Sequence, residues 1–319
     1  MGGTREVALL PEDNTVPNSF HVPFVLGRII TDPAPSNVKI EGLNPSSALP
    51  SKPRVCAVSY LNTVPLVWGL LHAPEPELRE SFDLGFALPS ECADQLASGQ
   101  ADIGIVPVIE MARQGLDYFP GTGIACHGPV RSILLISKVP FGSIGTLATD
   151  SGSRTSAMLA QVILAERFGV RPQVFSHPAE LQAMLARADA ALLIGDAALQ
   201  VDPATLPYET LDLGEEWVRL TGLPMVFAVW AGRKQVIHEP YGKIFLDSCR
   251  YGLAHMDDIV RAEAPGRDFT EDVVRRYLTH HIVFELGERD YEGMRLYIRH
   301  ALGIDKERNR VMIPGGIPA

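Results

Sequence analysis

Residues Arg54 to Trp68 read RVCAVSYLNTVPLVW. Arg54 to Val58 is a short apolar run of the kind that forms a buried strand. It breaks at Ser59-Tyr60-Leu61-Asn62 into polar side chains, followed by Thr63 and Pro65. Such a strand delivers hydrogen-bonding groups to its carboxyl end. In a parallel α/β sheet ligands sit at that end, because the next helix begins there with unpaired N–H groups and the positive end of its dipole. Pro65 suits the first turn of that helix. Taken alone, S-Y-x-N reads better as a helix cap and a turn.

Two later stretches shift that balance. Thr146 to Ser156 (TLATDSGSRTS) is a second strand-like run that ends in a hydroxyl-rich turn and enters a helix. Between the two, Ile124 to Ser137 (IACHGPVRSILLIS) sets Arg131 and Ser132 at the start of a continuous apolar strand.

Outward from these stretches the chain alternates strands and helices. Phe82 to Leu88 is a strand, Ser90 caps a short helix that stops at Gly99, Asp102 to Val106 is a third strand, and Pro107 opens a helix that Gly115 ends. Strands with such short helices between them predict a compact parallel sheet. A second series follows. Thr146 to Thr149 is a strand, Ser153 caps a helix to Phe168 with Gly169 as its stop, Gln173 to Phe175 and Ala190 to Ile194 are strands, and Ala179 to Arg187 is a helix.

Pro224 to Ala231 (PMVFAVWA) is apolar without periodicity, as a strand buried on both faces should be, and is the expected return crossing. Helices at Glu239 to Ala264, Thr270 to His280 and Asp290 to Leu302 then pack back on the first series. The expected organisation is lobe 1 at residues 54–137 and 232–302, lobe 2 at 138–231, and a tail at 303–319. Residues 1–53, with eight prolines, are expected to be an extension with little regular structure.

A chain of 319 residues with 46% hydrophobic content can fill two packed cores. No run approaches the roughly 18 apolar residues of a membrane span, and Met1 to Leu10 lacks a secretory signal's apolar core, so the expectation is a soluble, cytoplasmic protein. Cys56, Cys92, Cys126 and Cys249 are scattered without metal-ligand spacing and read as buried thiols in a reducing compartment. A net charge of -10 argues against nucleic-acid binding. It also disfavours long-range attraction of an anion, so an anionic ligand must be held by local donors.

Taken together, SYLNTVPL, GPVRSILLISK, DSGSRTS, LLIGDAAL and DLGEEWVRLTGLPMVFAVWAGR resemble the chorismate dehydratase family of the futalosine route to menaquinone, in content and in order, from about Arg54 to Leu302. The resemblance implies an α/β, two-lobed fold of the type II periplasmic-binding-protein kind with a ligand cleft between the lobes. It implies a dehydratase (a carbon-oxygen lyase) with chorismate as substrate, no cofactor and no metal, and leaves the oligomeric state open.

The residues can be weighed against that implication. Asn62, both donor and acceptor, suits a leaving hydroxyl or a carboxylate, and with Ser132 it is the expected catalytic pair. Ser59, Tyr60, Arg131, Ser153, Arg154, Thr155 and Ser156 are expected to bind substrate. The hydroxyls and N–H groups at Ser153 to Ser156 suit one carboxylate, with Arg154 pairing to it or to a neighbouring acid. Asp196 either faces the cleft or caps the next helix. His127 has no second histidine or carboxylate at triad spacing and reads as structural, His280-His281 as a helix end, and Glu215-Glu216 as an acidic helix start. Two other readings stay open: a non-catalytic carboxylate-binding or sensor protein of the same fold, and the related dihydroxynaphthoate-forming enzyme.

Overall fold

The computed structural model describes residues 52–311, with side chains described through Lys306. The expected N-terminal extension therefore lies outside the described residues, apart from Lys52 and Pro53. Among the described residues there are eleven strands: β1 (Arg54–Val58), β2 (Asp83–Ala87), β3 (Ile103–Pro107), β4 (Asp117–Cys126), β5 (Ile133–Ser137), β6 (Thr146–Asp150), β7 (Gln173–His177), β8 (Ala190–Ile194), β9 (Glu209–Asp212), β10 (Met225–Gly232) and β11 (Val283–Glu285). They build two sheets, ordered β11-β4-β10-β3-β1-β2 and β7-β6-β8-β5-β9, so the molecule has two lobes.

Within the first sheet β1 runs parallel to β2 and β3, and β10 lies antiparallel between β3 and β4. In the second, β6 is parallel to β7 and β8, while β5 is antiparallel to β8 and β9. The apolar run of β10 is buried at all eight residues, which suits a strand covered on both faces at the middle of a sheet.

The sheet memberships correct the expected lobe boundaries. β5 was assigned to lobe 1 by the boundary at Ser137, yet it pairs along its length with β8 and β9. β10 was assigned to lobe 2 by the boundary at Ala231, yet it pairs with β3 and β4. Backbone N–H and C=O groups of a buried strand must all be met, and only these neighbours meet them. The chain crosses between sheets at residues 127–132 and again at 222–224, just before each of these strands.

Other expectations change at element ends. Glu91, not Ser90, closes the start of the helix Pro89–Ser98, its carboxylate accepting from the Leu88 N–H at 3.0 Å. The expected helix from Glu239 to Ala264 is two, Glu239–Ala254 and Met256–Gly266. His255, with φ -112 and ψ 31, turns the chain between them, its N–H shared between the Tyr251 and Gly252 carbonyls at 3.1 and 3.0 Å in a tightened last turn. The expected tail is also partly wrong: helix Glu288–Val311 runs through Gly303, whose helical cost of about 1 kcal/mol does not stop a helix of otherwise favourable residues.

Helix Val64–His72 crosses helix Glu239–Ala254 so closely that a Cβ on Gly252 would lie 2.1 Å from the Pro65 carbonyl oxygen. Backbone cannot yield as a side chain can. Gly252→Ala is therefore expected to destabilise lobe 1 by about 3 kcal/mol, the upper part of the usual overpacking range, read as a lowered denaturation midpoint with unchanged slope.

Candidate active site

The carboxyl ends of β1, β2 and β3 in one lobe, and of β6 and β8 in the other, open on one cavity of about 570 Å³, mouth included. Tyr60 and Asn62 reach it from the turn after β1, Pro89 from the turn after β2, Gly152 to Ser156 from the turn after β6, and Gly195 from the end of β8. Ser132 enters just before β5. The rest of the wall is largely apolar, with Val58, Ile124, Val130, Ile133 and Phe227.

Two polar atoms in this wall have no partner although they are buried: Asn62 Oδ1 and Ser153 Oγ. Leaving such a group unpaired costs about 1–3 kcal/mol, so their convergence on one cavity marks a place built for a ligand. The helix Thr155–Phe168 adds donors beside Ser153. It starts with no side-chain cap bond, contrary to the expectation that Ser153 caps it, so its first N–H groups remain free at the positive end of the helix. The Thr155 hydroxyl is already spent on the Phe227 carbonyl at 3.2 Å, which leaves its backbone N–H as its contribution.

Tyr60 is seated by two glycines. Gly195 has φ +57, and a Cβ there would lie 2.9 Å from the Tyr60 ring; a Cβ on Gly152 would lie 3.1 Å from the Tyr60 hydroxyl. Burial pushes the Tyr60 hydroxyl well above the usual phenol range, with the nearby Asp150 carboxylate adding to the effect. Asp150 is itself buried, accepts from the Gly152 N–H at 2.9 Å, and has its carboxyl pushed up by burial.

Ser132 Oγ accepts a hydrogen bond of 2.9 Å from the hydroxyl of Tyr277, and the Asn62 side chain lies beside that hydroxyl and lowers its pKa against the larger effect of burial. The two expected catalytic residues thus flank one buried tyrosine.

The remaining expected contacts are placed otherwise. The Arg154 guanidinium is spent on Asp94 at 2.8 Å and Glu110 at 3.1 Å, both in the other lobe, so it ties the lobes at the cavity edge. Asp196 does not line the cavity. It accepts from the Leu61 N–H at 3.2 Å and pairs with Arg267, which also donates to the Ser59 carbonyl. Ser59 is likewise set back and contributes that carbonyl to the Arg267 anchor. Arg131 turns away as well: with φ +65, its guanidinium donates to the carbonyls of Ala198 and Val201, where it caps the carboxyl end of the helix Gly195–Leu199. His127 lies outside the cavity and pairs with Asp290 at 2.8 Å. Among the described residues no cluster of ligating side chains could hold a metal ion.

Sequence reasoning missed Asp150, Arg267 and Tyr277. Asp150 was legible, an acidic residue at a strand end directly before S-G-S. Arg267 and Tyr277 carry no local signal, because only the packing of the last helices brings them to the cleft.

Solved structures share this architecture at low sequence identity. Protein AF1704 from Archaeoglobus fulgidus superposes with a TM-score of 0.62 at 14% identity, covering 82% of this chain and 99% of that one. A Candida albicans protein described as having the generic periplasmic binding protein structural fold gives a TM-score of 0.57 at 12% identity, covering 83% and 92%. The fold is therefore that of the periplasmic binding proteins. In sequence, a chorismate dehydratase of Thermus thermophilus is 28% identical over 246 residues, 70% of this chain and 88% of that one. A chorismate dehydratase of Campylobacter jejuni is 24% identical over 250 residues, 76% of this chain and 94% of that one. The family model for menaquinone biosynthesis matches residues 53–302, which includes every residue of the cleft. The chain belongs to the menaquinone biosynthesis family.

Proposed function

We propose that this chain is a chorismate dehydratase, a hydro-lyase that removes water from chorismate to give 3-[(1-carboxyvinyl)oxy]benzoate in the futalosine route to menaquinone. The observation that carries this reading is the pairing of unmet polar atoms, Asn62 Oδ1 and Ser153 Oγ, with apolar walls in one cleft. Chorismate is a cyclohexadiene ring bearing one carboxylate, one hydroxyl and an enolpyruvyl ether that carries a second carboxylate, which asks for that pattern.

In the proposed arrangement the free N–H groups of the helix Thr155–Phe168, with the Ser153 and Ser156 hydroxyls, hold one carboxylate. Asn62 and Ser132 hold oxygens at the reacting end. The proton removed is on the ring carbon bearing the enolpyruvyl ether. Its C–H electron pair becomes a ring π bond as hydroxide leaves the neighbouring carbon with the C–O pair, and the released proton completes the water. Charge that develops spreads to the ring carboxylate, and the product is aromatic. The ionisable side chains lining the cleft are Tyr60 and Arg154, the first raised above the phenol range and the second already paired with two acids. Neither is a base at neutral pH. The enolpyruvyl carboxylate, folded over the ring, is therefore assigned the proton, and the protein acts by orientation.

The four cysteines are buried free thiols, which supports action in the cytoplasm. Purified protein incubated with chorismate should yield the benzoate by chromatography. Chorismate that binds and is recovered unchanged would instead favour a sensor of the same fold. His127→Ala is expected to keep more than about half of wild-type kcat, since removing an exposed partner of Asp290 touches neither cleft nor core. A collapse of turnover in that variant, with chorismate still bound, would make His127 the base.

A further inference from the structure

Tyr277 carries a buried hydroxyl that does not itself line the cleft. It sits on a π-helical turn, Tyr277–His281, and its side chain is enclosed. A phenol has one proton, and here that proton goes to Ser132 Oγ at 2.9 Å. The Asn62 side chain lies beside the same phenol and lowers its pKa, the direction in which a donor acts, so its amide N–H is the group that faces Tyr277. That choice turns Asn62 Oδ1 the other way, and Oδ1 is the atom found buried and unpaired at the cavity wall. Ser132, having accepted from Tyr277, keeps its own proton free to donate.

We propose that Tyr277 is a positioning residue that gives the two catalytic side chains opposite polarity: Asn62 presents an acceptor to the cleft and Ser132 a donor. This inference rests on the dehydratase reading and deepens it. The substrate then has to offer a hydroxyl proton to Asn62 and an oxygen, such as a carboxylate oxygen, to Ser132. Asn62 holds the leaving hydroxyl by its proton, which fixes the direction of the C–O bond relative to the ring. The donor chain runs from the Asn62 amide through Tyr277 to Ser132, and each bond polarises the next, so Ser132 donates more strongly than an isolated serine. Burial holds the Tyr277 proton in place across the working pH range, which keeps the direction of the chain fixed. Asn62 follows β1 of the first sheet and Ser132 is the last residue before β5 of the second, so the two groups that flank Tyr277 come from the two sides of the cleft.

Tyr277→Phe removes the hydroxyl and keeps the ring. Its kcat on chorismate is expected to fall about 10- to 100-fold with KM changed less than about threefold, because the lost polarity matters most as charge moves. Since Tyr277 acts through its partners, Tyr277→Phe and Ser132→Ala together should cost much less than the product of their separate losses. Wild-type kcat in Tyr277→Phe, or losses that simply multiply, would overturn the proposal. A second readout does not depend on turnover. In protein labelled with fluorotyrosine, the fluorine resonance that disappears in Tyr277→Phe should shift in both Ser132→Ala and Asn62→Ala, and a resonance indifferent to both also overturns the hydroxyl chain. If wild-type protein leaves chorismate unchanged, the dehydratase reading fails, while the resonance still decides whether Tyr277 sets the polarity.

Discussion

Asn62→Ala is expected to lower kcat on chorismate by about 100- to 1,000-fold while KM changes less than about fivefold, the effect seen when a donor or acceptor aimed at the reacting atoms is removed. Asn62 lies on the short turn Leu61–Thr63 that follows β1, so its position is set by the strand and by the Leu61 N–H held on Asp196. Little of the fold depends on its side chain. Its Oδ1 is buried and unpaired before substrate arrives, and the alanine variant should keep its unfolding free energy within about 1 kcal/mol of wild type. What it loses is the hold on the hydroxyl. In the proposed arrangement ground-state affinity rests mainly on the carboxylate held at Ser153 to Ser156, which line the same cavity, and it is expected to survive. A variant in which KM rose steeply and kcat stayed within threefold of wild type would show that Asn62 holds a carboxylate instead, and the assignment of the leaving hydroxyl would have to move.

The parts of this site that could be read in the sequence are those carried by short stretches. The break from apolar to polar at Val58-Ser59, and again at Ala148-Thr149, marks a strand with polar groups at its carboxyl end, and both following turns open on the cavity. Tyr60, Asn62, Ser132 and Ser153 to Ser156 all line it. The failures have a different origin. Ser59, Arg131 and Asp196 are polar residues within or beside the same motifs, but the structure spends them on anchoring: the Ser59 carbonyl and the Asp196 carboxylate on Arg267, the Arg131 guanidinium on carbonyls at a helix end. Nothing local separates a motif residue that faces a ligand from one that holds the motif in place. That is decided by what the last helices bring alongside, and Arg267 comes from more than two hundred residues after Ser59.

The lobe boundaries misplaced at Ser137 and Ala231 teach a related point. β5 and β10 are uniformly buried strands that follow the two crossings, and a buried strand reads the same in either sheet. Hydrogen-bond partners choose the sheet, and partners are not written in the strand itself. The missed β4 start is similar: Asp117 to Gly123 contains Pro120 and two glycines, yet it pairs with β10 across bulges that accommodate them.

Ser153→Ala should move stability and function in opposite directions. The Ser153 hydroxyl is buried and makes no hydrogen bond in the free protein, so its removal relieves an unmet polar group and should leave the folded state unchanged or up to about 1 kcal/mol more stable. Substrate should suffer. If Ser153 donates to one carboxylate at the start of the helix Thr155–Phe168, its loss removes a charge-assisted bond worth about 1.5–3 kcal/mol and raises KM about 10- to 100-fold, with kcat changed much less because that carboxylate is bound equally before and during the elimination. The neighbouring Thr155→Ala gives an internal contrast. Its hydroxyl bonds the Phe227 carbonyl at 3.2 Å inside the structure, so this change should lower stability, with a smaller rise in KM than Ser153→Ala. The measurements are denaturant midpoints and steady-state rates on the two variants side by side. If Ser153→Ala is destabilising and kinetically silent, its hydroxyl belongs to the fold, and the carboxylate is held by backbone N–H groups alone.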